Sequence, residues 1–340
     1  MPTIKDIARE CNVSANTVSS VINNKQGEVS DATRIRILEA IHRLGYRPNA
    51  AARRMLGKRM NTIGIADTYS ESSVSDPYKT QILGPIVHTA RSMKWDVLYY
   101  SGHPNEDQAG NFPSFLDGRT DGLLCFTGSI SSEEARSIMR TGLPIVFIGE
   151  PQEEEVANFV AVIDVDNEQG AYLGVSYLIS LGHKRIAMFQ GTGISGNRSR
   201  LEGYLRALRE NNIAADNSLI YPTIAWEGSS YAYAKQIFAM PDSERPTAIF
   251  CFNDVLAYGV LQAALEHEVI IPRDMSVLGF DDLVNSGVTS PPLTTVRQPL
   301  DLIGKKAVEL LIDIINGKAE RYNKYIVQPE LTVRSSTMAI

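Results

Sequence analysis

Short apolar runs of four or five residues recur from Thr62 onward, and stretches with helical spacing of apolar residues separate them. Nearly continuous apolar runs are typical of parallel strands, because helices cover both faces of a parallel sheet. There are too many runs for one small sheet, so the pattern predicts an α/β core with two lobes and parallel sheets. The runs begin at Ile63, Val97, Gly122, Ile145, Arg185, Ala248 and Val277.

Three short helices are predicted before residue 46. Thr3 and Asp6 have the spacing of a capping box, which would start the first helix, and Ser14 can cap the second. The third would run from Ser30 to Gly45, because glycine readily takes the left-handed conformation that ends a helix. Such helices can share one small core. The predicted inward residues are Ile4, Ile7, Ala8, Cys11, Val18, Val21, Ile22, Ile37, Leu38, Ile41 and Leu44.

Charge is distributed unevenly along the chain. Residues 1–60 hold 11 Lys and Arg against 5 Asp and Glu, a net charge of +6, so the remaining 280 residues carry −12 of the total of −6. A basic segment attracts phosphate, whereas an acidic body repels it. The small helical segment is therefore the part expected to meet nucleic acid.

The second predicted helix has an outward face of small or polar side chains: Ser14, Ala15, Asn16, Ser19, Ser20 and Asn23. A helix that enters the major groove needs short side chains, with amides that address adenine and methyl groups that touch thymine. A polar, solvated face on a small helical bundle would have the same composition. From these residues alone, both interpretations stay open.

The run from Thr3 to Asn23 closely resembles the reading head of the lactose/galactose-repressor family of bacterial regulators. The resemblance implies that Ala15, Asn16 and Ser20 read bases. It also implies that Ser14, Thr17 and Ser19 contact the DNA backbone. Many members have a long basic or aromatic reader where this chain has Ser20, so the operator base at that position is left open.

Residues Gly45 to Met55 resemble that family's hinge, a segment that forms a short helix on the correct operator. The resemblance places Asn49, Ala52 and Arg53 near DNA, Arg53 beside phosphate, although Arg53 could also be a solvated linker charge. Met55 takes the position of an apolar wedge inserted into the minor groove, where the family usually has leucine.

Most of the remaining chain resembles the family's sensor, which is similar in fold to periplasmic sugar-binding proteins. The matching segments are Leu181–Ala187, Arg200–Tyr204, Phe252–Gly259, Leu278–Asp282 and Pro291–Gln298. The implied domains are a helix-turn-helix DNA-binding domain (1–48), a hinge (49–60), a first core lobe (61–163 and 297–325) and a second core lobe (164–296 and 326–340).

Ligands of open parallel sheets bind beyond the carboxyl ends of the strands. Arg200, Asn253 and Asp281 all follow predicted strands, and their donors and acceptors suit sugar hydroxyls or a similarly polar ligand. By resemblance these three contact the effector, with Tyr78, Arg198 and Trp226 placed around them. The alternatives are a turn or helix cap for Asn253 and Asp281, and core packing for Trp226.

Other classes of protein find little support in the sequence. Three distant cysteines lack metal-ligand spacing, so no metal or cofactor is predicted. Gly191–Gly196 matches G-x-G-x-x-G, the fingerprint of a dinucleotide-binding site, but no acidic residue ends a second strand at the required distance. The pair Asp281 and Asp282 is typical of acid-base catalysis, but no nucleophile accompanies it. With no signal peptide and no run of eighteen apolar residues, a cytoplasmic, nucleoid-associated protein without a membrane partner is expected.

These features predict a transcriptional regulator that is not an enzyme, with repression as the leading interpretation. One head reads only half of a palindromic site, so a homodimer on operator DNA is expected. The predicted effector is a sugar, sugar phosphate or purine-like molecule, and a co-repressor protein is a further possible partner. A transport-type solute-binding protein and a sugar-processing α/β enzyme are the alternatives, and each leaves the basic head unexplained.

Overall fold

The computed structural model describes residues 2–22, 25, 27–47, 59–67, 76–100, 114–151, 156, 158–191, 196–224 and 228–340. The chain divides into two compact units, Met1–Met60 and Asn61–Ile340. We call them the head and the core. Among the described residues, no helix combines the length and the apolar character needed to cross a bilayer.

The described part of the head contains α1 (Ile4–Glu10), α2 (Ala15–Ile22) and α3 (Asp31–Leu44). The capping box is confirmed: the Asp6 carboxylate accepts a hydrogen bond from the Thr3 backbone N–H at 2.8 Å. Gly45 ends α3 in the left-handed conformation, with φ of 63°. Sequence signals that act within one helical turn therefore set the helix ends as predicted.

Two residues predicted to face inward on α3 do not. Leu38 is 49% exposed and Leu44 is 36% exposed. The buried face of α3 is centred on Ile37, and Ala40 continues it one turn later, whereas Leu38 is rotated about 100° away from Ile37. Beyond the end of the helix, Tyr46 packs against the head core.

Within the described part of the core, twelve strands form two six-stranded sheets. Sheet 1 has the order β2-β1-β3-β4-β5-β11, with parallel neighbours throughout. Sheet 2 has the order β7-β6-β8-β9-β10-β12, and only its edge strand β12 is antiparallel. The strands are β1 (Thr62–Ala66), β2 (Asp96–Tyr100), β3 (Gly122–Phe126), β4 (Ile145–Ile148), β5 (Ala161–Val165), β6 (Ile186–Gly191), β7 (Ile220–Thr223), β8 (Ala248–Cys251), β9 (Ser276–Asp281), β10 (Thr294–Arg297), β11 (Lys324–Val327) and β12 (Glu330–Thr332).

Helices cover both faces of each sheet, as continuous apolar strands require. One large apolar cluster joins α4, α6, α7 and α10 to one face of each sheet. The opposite face of sheet 1 packs against α5, and that of sheet 2 packs against α8 and α9. The helices are α4 (Pro77–Ser92), α5 (Ser132–Thr141), α6 (Asn167–Ser180), α7 (Asn197–Glu210), α8 (Ser229–Phe238), α9 (Asp254–Glu266) and α10 (Leu300–Ile315).

The chain passes between the sheets after β5, after β10 and after β11. The predicted lobe boundaries at 163/164, 296/297 and 325/326 fall inside these strands, so the crossings lie a residue or more further along. Each of these strands stays hydrogen-bonded to its neighbour up to its carboxyl end, and the chain crosses to the other sheet after that point. The carboxyl ends of the strands face the cleft described below.

Candidate functional site

The outward face of α2 carries polar side chains that bond locally. The Ser14 hydroxyl accepts a hydrogen bond from the Thr17 backbone N–H at 3.0 Å, which caps the helix. Ser14 and Asn16 are exposed, while Thr17, Ser19 and Ser20 are partly exposed. Val18 and Val21 are buried on the opposite face, so packing holds the polar face outward.

Ala15 departs from a fully outward position. It is partly buried and packs against the head core, so only part of its surface is available to DNA. Ser20 donates a hydrogen bond to Glu28, in the loop between α2 and α3, at 2.6 Å. The predicted DNA contacts Asn23, Asn49, Ala52, Arg53 and Met55 lie outside the described residues.

A cavity of about 110 Å³ opens between the two sheets, beyond the carboxyl ends of their strands. Buried carboxylates, amides and cationic groups line it together with aromatic rings, a combination suited to a small polar ligand. The lining residues are Asp76, Tyr78, Lys79, Phe126, Thr127, Ile148, Gly149, Asp164, Asn167, Arg200, Phe252, Asn253, Asp281 and Gln298.

Arg200, from α7, is a central cation of this cleft and is 5% exposed. Its Nε donates to Asn167 Oδ1 at 2.8 Å, and its Nη1 donates to the Phe252 carbonyl. The guanidinium lies 3.6 Å from the centroid of the Phe280 ring and 3.8 Å from Asp281 Oδ1. These partners hold the planar guanidinium in one orientation, which is what directional recognition of a ligand requires.

Asp281 ends β9 with a backbone that non-glycine residues rarely adopt, φ of 120°, and Asp282 follows with φ of 57°. Gln298 donates to the Asp281 carboxylate at 2.6 Å, and Arg334 donates to the Asp282 carboxylate at 2.6 Å. Such strain persists where surrounding contacts hold it, commonly at binding sites. Burial raises the pKa of the Asp281 carboxyl, and the nearby Arg200 opposes that rise.

Asp164 is a cleft residue that the sequence analysis missed. Its carboxylate accepts from the backbone N–H groups of Val165 at 2.7 Å and Glu150 at 3.0 Å, and the Asn167 amide donates to both of its oxygens. Burial raises its pKa to about 6. Strand β5 was not predicted, so nothing marked its last polar residue. The available signal was the apolar run around Asp164, followed by the helix-capping Asp166.

The start of α4 supplies the other wall of the cleft. The Asp76 carboxylate caps this helix by accepting from the Tyr78 backbone N–H at 2.9 Å. Lys79 Nζ donates to the buried Asp67 at 2.8 Å and to Ser129 at 3.2 Å. Burial raises the pKa of Tyr78, so its hydroxyl keeps its proton. This wall offers a carboxylate, a neutral phenol and an ammonium group that already has an acidic partner.

Gln81, also on α4, bridges the two lobes. Its Oε1 accepts from the Val284 backbone N–H at 3.0 Å, and its Nε2 lies 3.5 Å from the Asp282 carbonyl. Val284 and Asp282 belong to the segment that follows Asp281. The bridge therefore joins the first lobe to the part of the second lobe that carries a cleft carboxylate.

Of the six predicted effector contacts, the structure brings Tyr78, Arg200, Asn253 and Asp281 together. Asn253 also caps α9, because its Oδ1 accepts from the Leu256 backbone N–H at 2.9 Å. The prediction for Arg198 is corrected: its side chain is 92% exposed and extends toward Glu202. Two helical positions separate it from Arg200, a rotation of about 200°, so only one of the two can face the cleft. Trp226 lies outside the described residues.

The glycine motif at 191–196 has a packing explanation at its last member. A Cβ on Gly196 would lie 2.7 Å from Asn167 Oδ1, and the residue has φ of 74°. Glycine lets the chain pass the amide that orients Arg200. Among the described residues, no group of three or more His, Cys, Asp or Glu has the arrangement of a metal site.

Comparison with known proteins gives two matches along the chain. Residues 3–49 match bacterial regulatory proteins of the lacI family, and residues 175–337 match the periplasmic binding protein-like domain. The chain is 34% identical, over 342 residues, to the HTH-type transcriptional repressor PurR of Vibrio atlanticus (strain LGP32), and 100% of each chain is covered. This chain belongs to the lacI family. It is a DNA-binding transcriptional regulator and not an enzyme.

Other transcriptional regulators match over similar lengths. The HTH-type transcriptional regulator DegA of Bacillus subtilis (strain 168) is 33% identical, with 98% of each chain covered. A solved lac repressor dimer, bound to operator and the anti-inducer ONPF, matches with a TM-score of 0.83 at 28% identity over 99% of each chain. The predicted fold, a helix-turn-helix head with a periplasmic-binding-protein-like core, is confirmed.

Proposed function

We propose that this lacI-family regulator represses transcription by binding a palindromic operator as a homodimer, and that a small, uncharged, polar effector in the cleft controls its operator affinity. The observation that carries the proposal is the buried Arg200, held by Asn167 and facing Asp281, at the carboxyl ends of the strands. A preorganised cation and carboxylate in a cavity are the groups that bind hydroxyl-rich ligands. The repressor PurR and the operator-bound lac repressor dimer support the repressor role.

Each domain predicted from the sequence is proposed to have its own role in operator binding. We assign operator binding to residues 1–48 and the hinge to residues 49–60. In the head, Ala15, Asn16 and Ser20 would contact bases, and Ser14, Thr17 and Ser19 would contact the DNA backbone. Asn23 is kept as a contact because it follows the outward pattern of the second predicted helix, and Asn49, Ala52, Arg53 and Met55 are kept on the family resemblance. Binding to chromosomal DNA implies a cytoplasmic location. A co-repressor protein stays a prediction.

The charges that line the cleft favour a neutral ligand. Among the described lining residues, the carboxylates are Asp76, Asp164 and Asp281, and the cations Lys79 and Arg200 already face acidic partners. A phosphate group would add negative charge to this site, where the described cations are already paired. Among the predicted effectors, a sugar therefore fits better than a sugar phosphate. A relative, the regulator CelR, has been solved as a complex with cellobiose, at 26% identity.

Control of operator affinity requires two lobe arrangements that the effector distinguishes. The cleft lies between the lobes, so a ligand that touches both shifts their relative position. That shift would alter the spacing of the two hinges in the dimer. The arrangement that the sugar favours sets whether it weakens or strengthens operator binding.

The experiment that tests this function selects duplexes from a randomised palindromic library with the purified full-length protein. A gel shift of the selected duplex is then repeated at two salt concentrations, with and without sugars that raise the thermal unfolding temperature. We expect a palindromic consensus, steep weakening at higher salt and an affinity that responds to one sugar. A protein that enriches no consensus, or whose operator affinity ignores every stabilising sugar, would contradict the proposal.

A further inference from the structure

The hydroxyl of Ser20, a proposed base reader, is already engaged by another side chain. Ser20 Oγ lies 2.6 Å from Glu28 Oε2, and the other carboxylate oxygen lies 3.3 Å from Lys25 Nζ. Hydrogen bonds from Ser20 and Lys25 lower the pKa of Glu28. An ionised carboxylate can only accept hydrogen bonds. The Ser20 proton therefore points at Glu28, and the lone pairs of its oxygen point elsewhere.

The loop that carries Glu28 is tied to the helices on both sides. The Lys25 backbone N–H donates to the Ser20 carbonyl at 3.0 Å, and Arg34 of α3 donates to the Lys25 carbonyl at 2.6 Å. Val29, the residue after Glu28, packs against the head core. These contacts fix the carboxylate beside α2 before any DNA is bound, so its effect on Ser20 is preorganised.

This arrangement decides which base edges Ser20 can address. A free serine hydroxyl can donate or accept, so by itself it discriminates poorly. With its proton held by Glu28, it can only accept. In the major groove, guanine presents two acceptors, N7 and O6, whereas adenine and cytosine present amino groups. A guanine at this position would place its N7 and O6 acceptors against the acceptor oxygens of Ser20 and Glu28, with no proton between them.

We propose that Glu28 is a specificity-determining residue: it holds the Ser20 hydroxyl as an acceptor, so that this position of each half-site selects an adenine or cytosine amino group and rejects guanine. The inference rests on the proposed operator-binding role of α2. Glu28 acts on the base through Ser20. Lys25, which is paired with Glu28, offsets the repulsion between the Glu28 carboxylate and the DNA phosphates.

The test is a parallel selection from one randomised palindromic library with four full-length proteins: wild type, Ser20→Ala, Glu28→Gln and Glu39→Gln. Glu39 is an exposed carboxylate of α3, so its variant matches the charge change of Glu28→Gln. Circular dichroism confirms that each variant is folded. The position read by Ser20 is the one whose preference changes in Ser20→Ala.

At that position we expect the wild type to disfavour guanine by about tenfold. Glu28→Gln should remove most of this preference and leave the other positions unchanged, because the amide no longer forces the hydroxyl to accept. Glu39→Gln should keep the wild-type preference and change only overall affinity. Overturning results are a guanine preference in the wild type, no change in Ser20→Ala, or a Glu28→Gln profile identical to that of Glu39→Gln. A wild type that selects no sequence overturns the proposed function itself, whereas a specific wild type with an unchanged Glu28→Gln profile overturns only this inference.

Discussion

The head and the cleft both expose polar side chains to a ligand, but they are assembled over different distances along the chain. On α2, the bond that orients Ser14 joins it to Thr17, three residues away. In the cleft, Arg200 bonds to Asn167, 33 residues away, and to the Phe252 carbonyl, 52 residues away. The head is a local site, and the cleft is a site made by tertiary packing.

Burial differs in the same way. Asn16 is exposed, whereas Arg200 and Asp281 are almost completely buried. Exposed polar groups exchange water for ligand with little effect on folding, while buried charges must be paired for the protein to be stable. We therefore expect substitution of an exposed α2 residue such as Asn16 to change operator affinity alone, and substitutions in the cleft to change ligand binding and stability together.

The largest expected effect is that of Arg200→Ala. Removal of the guanidinium leaves Asp281 without its cation, so we expect the free energy of unfolding of the core to fall by about 3–5 kcal/mol. Effector affinity should fall about a hundredfold, because a hydrogen bond to a charged group contributes about 1.5–3 kcal/mol. Urea unfolding and calorimetric titration with the identified sugar measure these changes. Arg198→Ala, two residues earlier on α7, is the matched control and should have little effect. Equal losses of stability and effector affinity in both variants would contradict the expected difference between buried and exposed residues.

The next largest effect is a dependence of the free energy of unfolding on pH. The pKa of Asp164 is about 6 in the folded protein, against an ordinary value of 3.8. The folded state therefore binds the proton more tightly, and this stabilisation is complete below about pH 4 and is lost as the pH rises through 6. Between pH 4 and 7, the stability difference between wild type and Asp164→Asn should change by about 2–3 kcal/mol. Urea unfolding across this range measures it.

The exposed Asp301 provides the control for this measurement. The Asp301→Asn variant makes the same chemical change at an exposed position, and its urea unfolding is measured at the same pH values. A stability difference between wild type and Asp164→Asn that stays constant from pH 4 to pH 7 would show that Asp164 titrates as an exposed group does, and the cleft would then resemble the head.

A smaller effect is expected for Asn16→Ala on the exposed face of α2. Loss of one amide contact to a base should weaken binding to the selected operator by about tenfold. The slope of affinity against salt should stay unchanged, because no phosphate contact is removed. Filter binding at several salt concentrations measures both quantities. A loss of core stability in this variant would contradict the separation of the two sites.

The smallest expected effect is that of Gln81→Ala, which removes the bridge between the lobes. Because the bridge joins the two lobes that the effector would contact, we expect it to stabilise the ligand-bound arrangement. A hydrogen bond contributes about 1 kcal/mol, so effector affinity should fall about fivefold without loss of folding. Gln262→Ala is the matched control, because Gln262 bonds to Glu266 within α9. Titration calorimetry compares the two variants. Similar affinities in both would show that the bridge does not stabilise the ligand-bound arrangement.

Predictions that depend on neighbours within one helical turn are confirmed. Thr3 and Asp6 form the capping box of α1, Ser14 caps α2, and Gly45 ends α3. Cleft residues were found where they followed a predicted strand, as Asp281 does. Asp164 and Gln298 were missed because β5 and β10 were not predicted, and the inward face of α7 could not be assigned between Arg198 and Arg200.

The amino-acid sequence by itself determined the periods of the helices and strands, their caps and the basic charge of the head, because these depend on neighbours within a few positions. Tertiary structure alone decided that Asn167, Arg200 and Asp281 meet, and that Arg198 remains in solvent. The physical reason is that helix geometry fixes contacts three or four residues apart. Contacts across tens of residues depend instead on how two sheets and their helices pack.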